Sequence, residues 1–282
     1  MALPAYCTRG ERMAYYAYLT LCSLVFFFLI APILIIIPLS FNATPYFTFT
    51  EGMLSLDPDA YSVRWYQDMF SNSQWLNALK NSTIIALAAT LVATFLGTLA
   101  AMGLSSSKLP MRNAIMALLI SPMIVPVIIS AAAMYFFYTR LELSQTFVGI
   151  ILAHAALGTP FVVITVTATL SGFDQSLVRA AYSLGANPVY TFRHVTFPLI
   201  RPGMISGGLF AFGTSFDEVV VALFITGTEQ RTVPRQMWSG IREQISPTIL
   251  AVASLLILMS VLLLLTLEML RRRNVRIRGI VE

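Results

Sequence analysis

RAAYSLGANPVYTFRHVTFPLI, residues 179–200, is a polar stretch between two long apolar runs. Local signals read it as helix, turn, helix. Asp174 just upstream is a candidate N-cap, and Gly185 stands where a left-handed residue stops the first helix. Asn187-Pro188 then supplies a second N-cap with proline at the first helical position. Pro198 and Pro202 are expected to end the second helix before the next apolar run begins. On the first helix Leu177, Ala181 and Leu184 recur at spacings of four and three, forming one apolar stripe with Arg179 roughly opposite. Periodicity alone leaves two readings open: a short amphipathic pair that docks a soluble partner, or an ordinary connecting loop.

The chain on either side is built for lipid. Of its 282 residues 57% are hydrophobic and 11% charged, with a mean hydropathy of +0.77. That leaves too few charges to cover a soluble globule of this size. A bilayer core about 30 Å thick takes roughly 20 apolar residues per helical crossing. Six runs qualify: 14–39, 79–103, 113–138, 146–170, 203–225 and 248–270. Each is expected to be helical, because an open strand cannot satisfy its backbone groups in hydrocarbon. The expected fold is all-α: one polytopic membrane domain, 1–282, with six transmembrane helices and a helix-turn-helix loop at 171–202. External segments fall at 40–78 and 226–247, and a basic tail at 271–282. The first run is too long for a signal peptide and lacks a small-x-small cleavage site, so it reads as an uncleaved anchor.

Orientation follows from the basic residues, which are retained near helix ends on the cytoplasmic side. With the N-terminus inside, that side holds Arg9, Arg12, Lys108, Arg112, Arg179, Arg193, Arg201, Arg271, Arg272, Arg273, Arg276 and Arg278. The outside holds Arg64, Lys80, Arg140, Arg231, Arg235 and Arg242. Both termini and the 171–202 loop are therefore expected in the cytoplasm. The net charge of +5 is then accounted for by topology and headgroup attraction, and nucleic acid is an unneeded partner. Cys7 and Cys22, one cytoplasmic and one within a membrane helix, give no disulfide framework.

Within the loop, Ala180-Ala181, Gly185, Val195, Phe197 and Pro198 stand at the spacings of E-A-A-x3-G-x9-I-x-L-P, with Arg179 in place of the leading Glu. On these residues the chain resembles the permease subunits of binding-protein-dependent ABC importers. RWYQDMFSNSQWLNALKNS (64–82), SFDEVVVALFITG (215–227) and the Ser246-Pro247 opening of the last run resemble the polyamine (spermidine/putrescine) branch of that family. The resemblance implies that the loop is the coupling element seated in a groove of a cytoplasmic ATPase subunit. Arg179, Ala180, Ala181, Leu184, Gly185 and Pro198 are the residues expected to carry that contact. It also implies a second permease subunit, an extracytoplasmic substrate-binding protein, and a place in the bacterial inner membrane.

Asp217 and Glu218 draw attention on physical grounds alone. They lie past the midpoint of the fifth run, where a carboxylate costs about 2.5–3.5 kcal/mol on insertion scales. They must face protein or a water-filled cavity. On a continuous helix Glu218 shares a face with Thr214, Ala211 and Gly207, while Asp217 lies over Phe210, Gly213 and Phe224. Gly213 would permit local unwinding. Either Asp217, Glu218 and Thr214 line a path for a cationic amine, or the acids make interhelical hydrogen bonds.

Other residues read more plainly. His154 in the fourth run suits helix packing, His194 lies on the loop surface, and the two histidines offer no metal spacing. Pro122 and Pro126 are expected to kink the third run. Trp65, Tyr66, Trp75 and Trp238 read as interface anchors. A P-loop needs Gly-Lys-[Ser/Thr], and the only lysines, Lys80 and Lys108, follow Leu79 and Ser107. No nucleotide site, catalytic residue or cofactor is expected in this chain, so ATP and Mg belong to a partner ATPase. The expected function is half of an ATP-driven import path for a polyamine or related amine. An opine, amino acid derivative or aminophosphonate is the alternative cargo. A proton-coupled secondary transporter using Asp217, Glu218 and His154 is a rival that leaves the coupling loop without a task.

Overall fold

The computed structural model describes residues 8–106, 109–172, 174, 176–243 and 246–277. The chain divides into two compact units: Met1–Met69 with Ile245–Leu258, and Phe70–Gln244 with Met259–Glu282.

In the first unit α1 (Arg9–Leu39) opens on a capping box. Thr8 Oγ1 accepts the Glu11 N–H, and Glu11 Oε2 accepts the Thr8 N–H at 2.7 Å. The apolar window of this helix is entirely unburied, with Phe26 and Phe28 among its exposed side chains, as a surface facing lipid or another subunit requires. After it the chain folds around Asn42, which is fully buried. Its Nδ2 donates to the Tyr46 and Thr48 carbonyls, while its Oδ1 accepts from the Thr44 N–H at 2.9 Å. Short α2 (Glu51–Leu54) and a 3₁₀ turn, Pro58–Ala60, follow, then α3 (Arg64–Ser71). Trp65 Nε1 donates to the Asn42 carbonyl at 2.7 Å, and the Tyr66 hydroxyl pairs with Ser40 Oγ at 2.7 Å. These two aromatics, expected as interface anchors, also tie α3 to the segment that follows α1 through these hydrogen bonds.

The second unit is organised by α4 (Ser73–Leu104), α7 (Phe147–Ser171) and α10 (Phe197–Asp217). Small residues set their approach. A Cβ added at Gly158 would fall 2.9 Å from Ala211 Cβ and 3.5 Å from Ala93 Cβ, so the three helices meet there with no room for a methyl group. Ala89, Ala93, Val162, Val166, Ile200 and Ala211 fill this core. Trp75, in the first turn of α4, is itself buried.

Two expected spans are broken. The third run forms α5 (Arg112–Ile124) and α6 (Val127–Arg140), bent by 101°. Pro126 causes the break by holding Val125 extended at ψ 133°, whereas Pro122 lies inside α5 without ending it. The fifth run begins earlier and ends earlier than its composition suggests. After α8 (Ser176–Ser183) and the single turn α9 (Pro188–Thr191), a π turn at Phe192–Thr196 leads straight into α10. Pro198 and Pro202 therefore do not end a helix: Pro198 sits in the first turn of α10 and Pro202 within it. The π register, with the Phe197 N–H bonded to the Phe192 carbonyl, leaves room for the first proline ring. At its far end α10 stops at Asp217, and a separate α11 (Val220–Ile225) follows. A further helix, α12 (Val233–Glu243), precedes α13 (Thr248–Ile277). Among the described residues five helices are long and apolar enough to span a bilayer, and the α5–α6 pair makes six if it crosses as one bent span.

Candidate functional site

The loop between α7 and α10 is shaped by local hydrogen bonds. Asp174 Oδ1 accepts the Ser176 N–H at 2.8 Å, and the hydrogen bond from the Ser176 hydroxyl is the main cause holding that carboxyl below its ordinary pKa. At the other end of α8 Gly185 takes φ +82°. The Ala186 N–H reaches back to the Ala181 carbonyl and the Gly185 N–H to the Tyr182 carbonyl, both at 3.0 Å, which is a Schellman stop. Asn187 Oδ1 then accepts the Tyr190 N–H at 2.8 Å with Pro188 at the first helical position. The His194 ring stacks on Tyr190 at 4.1 Å between centroids.

This framework fixes what the loop presents. Val178 and Ala181 are half-buried, while Leu177, Arg179, Ala180 and Pro198 are exposed. Leu184 at 88% exposure and Val189 at 75% flank Gly185, giving the turn an apolar tip. The stripe expected on α8 is thus divided: Ala181 turns toward its own chain, whereas Leu177 and Leu184 face outward. Such a tip suits insertion into an apolar groove of another protein.

The fifth-run acids sit at the α10–α11 break. Asp217 is the last residue of α10; its side chain is exposed and has no hydrogen-bond or ion-pair partner among the described residues. Glu218 leaves the helix at φ −72°, ψ 118°. Its side chain is half-buried, and Oε1 accepts the Val221 N–H at 2.7 Å. Thr214, one turn earlier, is half-buried. The unwinding expected at Gly213 therefore occurs at Glu218 and Val219, and Phe224 no longer continues the Asp217 face. Behind the break His154, buried in α7, meets Ser215 Oγ through Nδ1 at 2.8 Å, which is the packing role expected of it.

A residue not singled out by sequence completes this region. Arg235 of α12 donates through Nη1 to the carbonyl and hydroxyl of Thr226 and to the Gly227 carbonyl, closing the C-terminal end of α11. Burial, and then the nearby Arg231 charge, pull the Arg235 pKa below its ordinary value. The same loop is tied to α4: Asn81 Nδ2 donates to the Glu229 carbonyl at 2.7 Å, and the Val233 N–H donates to Ser82 Oγ at 2.8 Å. Arginine following a short apolar helix was the available signal, but its partner carbonyls are fixed only by the fold.

An exposed apolar turn, and an exposed Asp217 with no partner among the described residues at a break in a long apolar helix, describe a membrane component made to work with other subunits. Residues 93–276 match the family of binding-protein-dependent transport system inner membrane components, and the chain belongs to that family. It is a permease subunit of a binding-protein-dependent ABC importer. Among its relatives, the spermidine/putrescine transport system permease protein PotC of Haemophilus influenzae is 30% identical over 250 residues, 89% of this chain and 94% of that one. The putrescine transport system permease protein PotI of Escherichia coli is 30% identical over 239 residues, 82% of each chain. The fold is shared with a bacterial ABC transporter involved in the import of the acidic polysaccharide alginate, at a TM-score of 0.73 and 14% identity over 94% of this chain and 99% of that one.

Proposed function

We propose that this subunit forms half of the membrane path for a polyamine or related small amine. A second permease subunit completes the path. Cytoplasmic ATPase subunits bind the ATP and Mg and hydrolyse the nucleotide, and an extracytoplasmic binding protein delivers the solute. The observation that carries the solute class is Asp217, an exposed and unpartnered carboxylate at a helix break in a chain whose relatives are polyamine permeases. An unpaired carboxylate at membrane depth is costly, and a cationic amine in a water-filled path removes that cost. Glu218 and Thr214 accompany it on the same stretch. The tip residues Leu184 and Gly185, with Arg179, Ala180, Ala181 and Pro198 around them, form the ATPase coupling surface, and both termini lie in the cytoplasm of a bacterial cell.

The test is ATP hydrolysis by the complete transporter in proteoliposomes, with its binding protein loaded with spermidine, putrescine, an opine or an aminophosphonate. Spermidine or putrescine is expected to stimulate hydrolysis and to accumulate inside. Stimulation by a zwitterionic or anionic solute alone would overturn the amine assignment.

A further inference from the structure

The two adjacent acids do different things, and the backbone between them is the reason. Asp217 ends α10, whereas Glu218 has left the helix, so the side chains diverge. Glu218 folds its carboxylate back onto its own chain, where Oε1 accepts the Val221 N–H at 2.7 Å. This is the three-residue reach of an N-capping side chain, and it satisfies a donor that the break would otherwise leave unpaired. The opposite end of α11 is held by the three oxygen contacts of Arg235. A six-residue helix, too short to be stable by itself, is thus closed at both ends by charged side chains lying outside it. Its inner face is packed too: Val221, Ala222 and Ile225 are fully buried against Ala131 and Ile150. Asp217, in contrast, has no task inside the described chain.

Building on the amine-path reading, we propose that Glu218 is a positioning residue: its carboxylate fixes the α10–α11 break, and Asp217 is the carboxylate that meets the cation. The division makes an unusual demand on substitutions. A glutamine amide keeps an acceptor oxygen at the same reach but has no charge. Loss of charge at 218 is therefore tolerated as long as the acceptor remains, while loss of charge at 217 is not.

The test uses the assembled transporter in proteoliposomes, with uptake of radiolabelled spermidine from its binding protein and hydrogen exchange at the Val221 amide. Asp217→Asn is expected to lower uptake by about tenfold or more, the worth of one charge-assisted hydrogen bond, with Val221 exchange unchanged. Glu218→Gln should stay within about twofold of the wild type in both readouts, since a neutral capping oxygen loses little. Glu218→Ala should lower uptake and speed Val221 exchange together; if it does not assemble, the glutamine variant decides alone. Equal losses in Glu218→Gln and Asp217→Asn would overturn the division while leaving the amine path standing. Wild-type uptake by Asp217→Asn would overturn the path reading itself, and the proposal with it. Unchanged exchange in an assembled Glu218→Ala would remove the capping role.

Discussion

At Gly185 the demand on the residue is conformational and nothing else. The backbone sits at φ +82°, and a Cβ built there meets no atom within 4 Å. Gly185→Val thus has space but not the backbone, and a left-handed β-branched residue costs at least about 1–2 kcal/mol. The valine variant is expected to insert and assemble normally yet lose most solute-stimulated ATPase activity. Gly185→Asn, which tolerates this region, should retain much of it. Equal stimulation in all three proteins would separate the turn from coupling. The neighbouring helix gives a second contrast. Ala181 is half-buried while Arg179 is exposed, so Ala181→Arg should weaken co-purification of the ATPase subunit more than Arg179→Glu. The opposite order would make the Arg179 charge, rather than the packing of Ala181, the main determinant of that contact. The Asn187 cap, the Asp174 side chain ahead of α8 and the stop at Gly185 were legible in the sequence because each is a side-chain or backbone preference satisfied within a few residues. Glu218 was not, because helical periodicity placed it beside Thr214 on a helix that in fact ends one residue earlier.

The elements show where composition stops being informative. Hydropathy located every long run, since the bilayer imposes both length and apolarity on a crossing. It does not report a break, because residues on both sides of one are equally apolar. Val219, Val220 and Val221 are three β-branched residues in succession, stiff at χ1 and weak helix formers. That is the local signal for a break, and the Glu218 and Arg235 side chains, with the buried face of α11, turn it into a defined geometry. Prolines misled in the other direction: Pro198 and Pro202 look like terminators, but the π turn ahead of them lets the helix run on. The clamp at the C-terminal end of α11 can be tested separately. Arg235→Gln removes most of the contacts to Thr226 and Gly227, and hydrogen bonds from a charged donor are worth about 1.5–3 kcal/mol each. Amide exchange at Leu223 to Ile225 should rise by about tenfold or more in the assembled complex, with a smaller rise in Arg235→Lys, whose compact ammonium lacks the planar fork. No change would mean that α11 is held by its buried valine and isoleucine contacts alone.

For the whole molecule the number of crossings decides which face of the membrane each functional part occupies. If α5 and α6 cross as one bent span, the chain traverses six times. The residue 171–202 loop then lies on the same side as the N-terminus, where an ATPase can reach it. If the pair turns back, five crossings remain, and that loop is on the opposite side. The 101° bend at Val125 and Pro126 is compatible with either by geometry alone. The distribution of basic residues favours six, because that threading gathers Arg9, Arg12, Arg112, Arg179, Arg193 and Arg201 on one face. Single cysteines placed at Leu184 and at Ser55, in a chain with Cys7 and Cys22 replaced by serine, distinguish the two. With a membrane-impermeant maleimide, the cysteine at 184 is expected to react only in inside-out vesicles and the one at 55 only in right-side-out vesicles. Leu184 and Ser55 are both exposed, so silence cannot be blamed on burial within the chain. Bound ATPase would itself shield position 184, so the vesicles should also be labelled after the ATPase subunit is stripped away. Labelling of both positions from the outside would make α5–α6 a re-entrant pair. It would also strand the apolar tip at Gly185 away from any cytoplasmic partner, and the coupling role proposed for it would fail for a reason of topology rather than of chemistry.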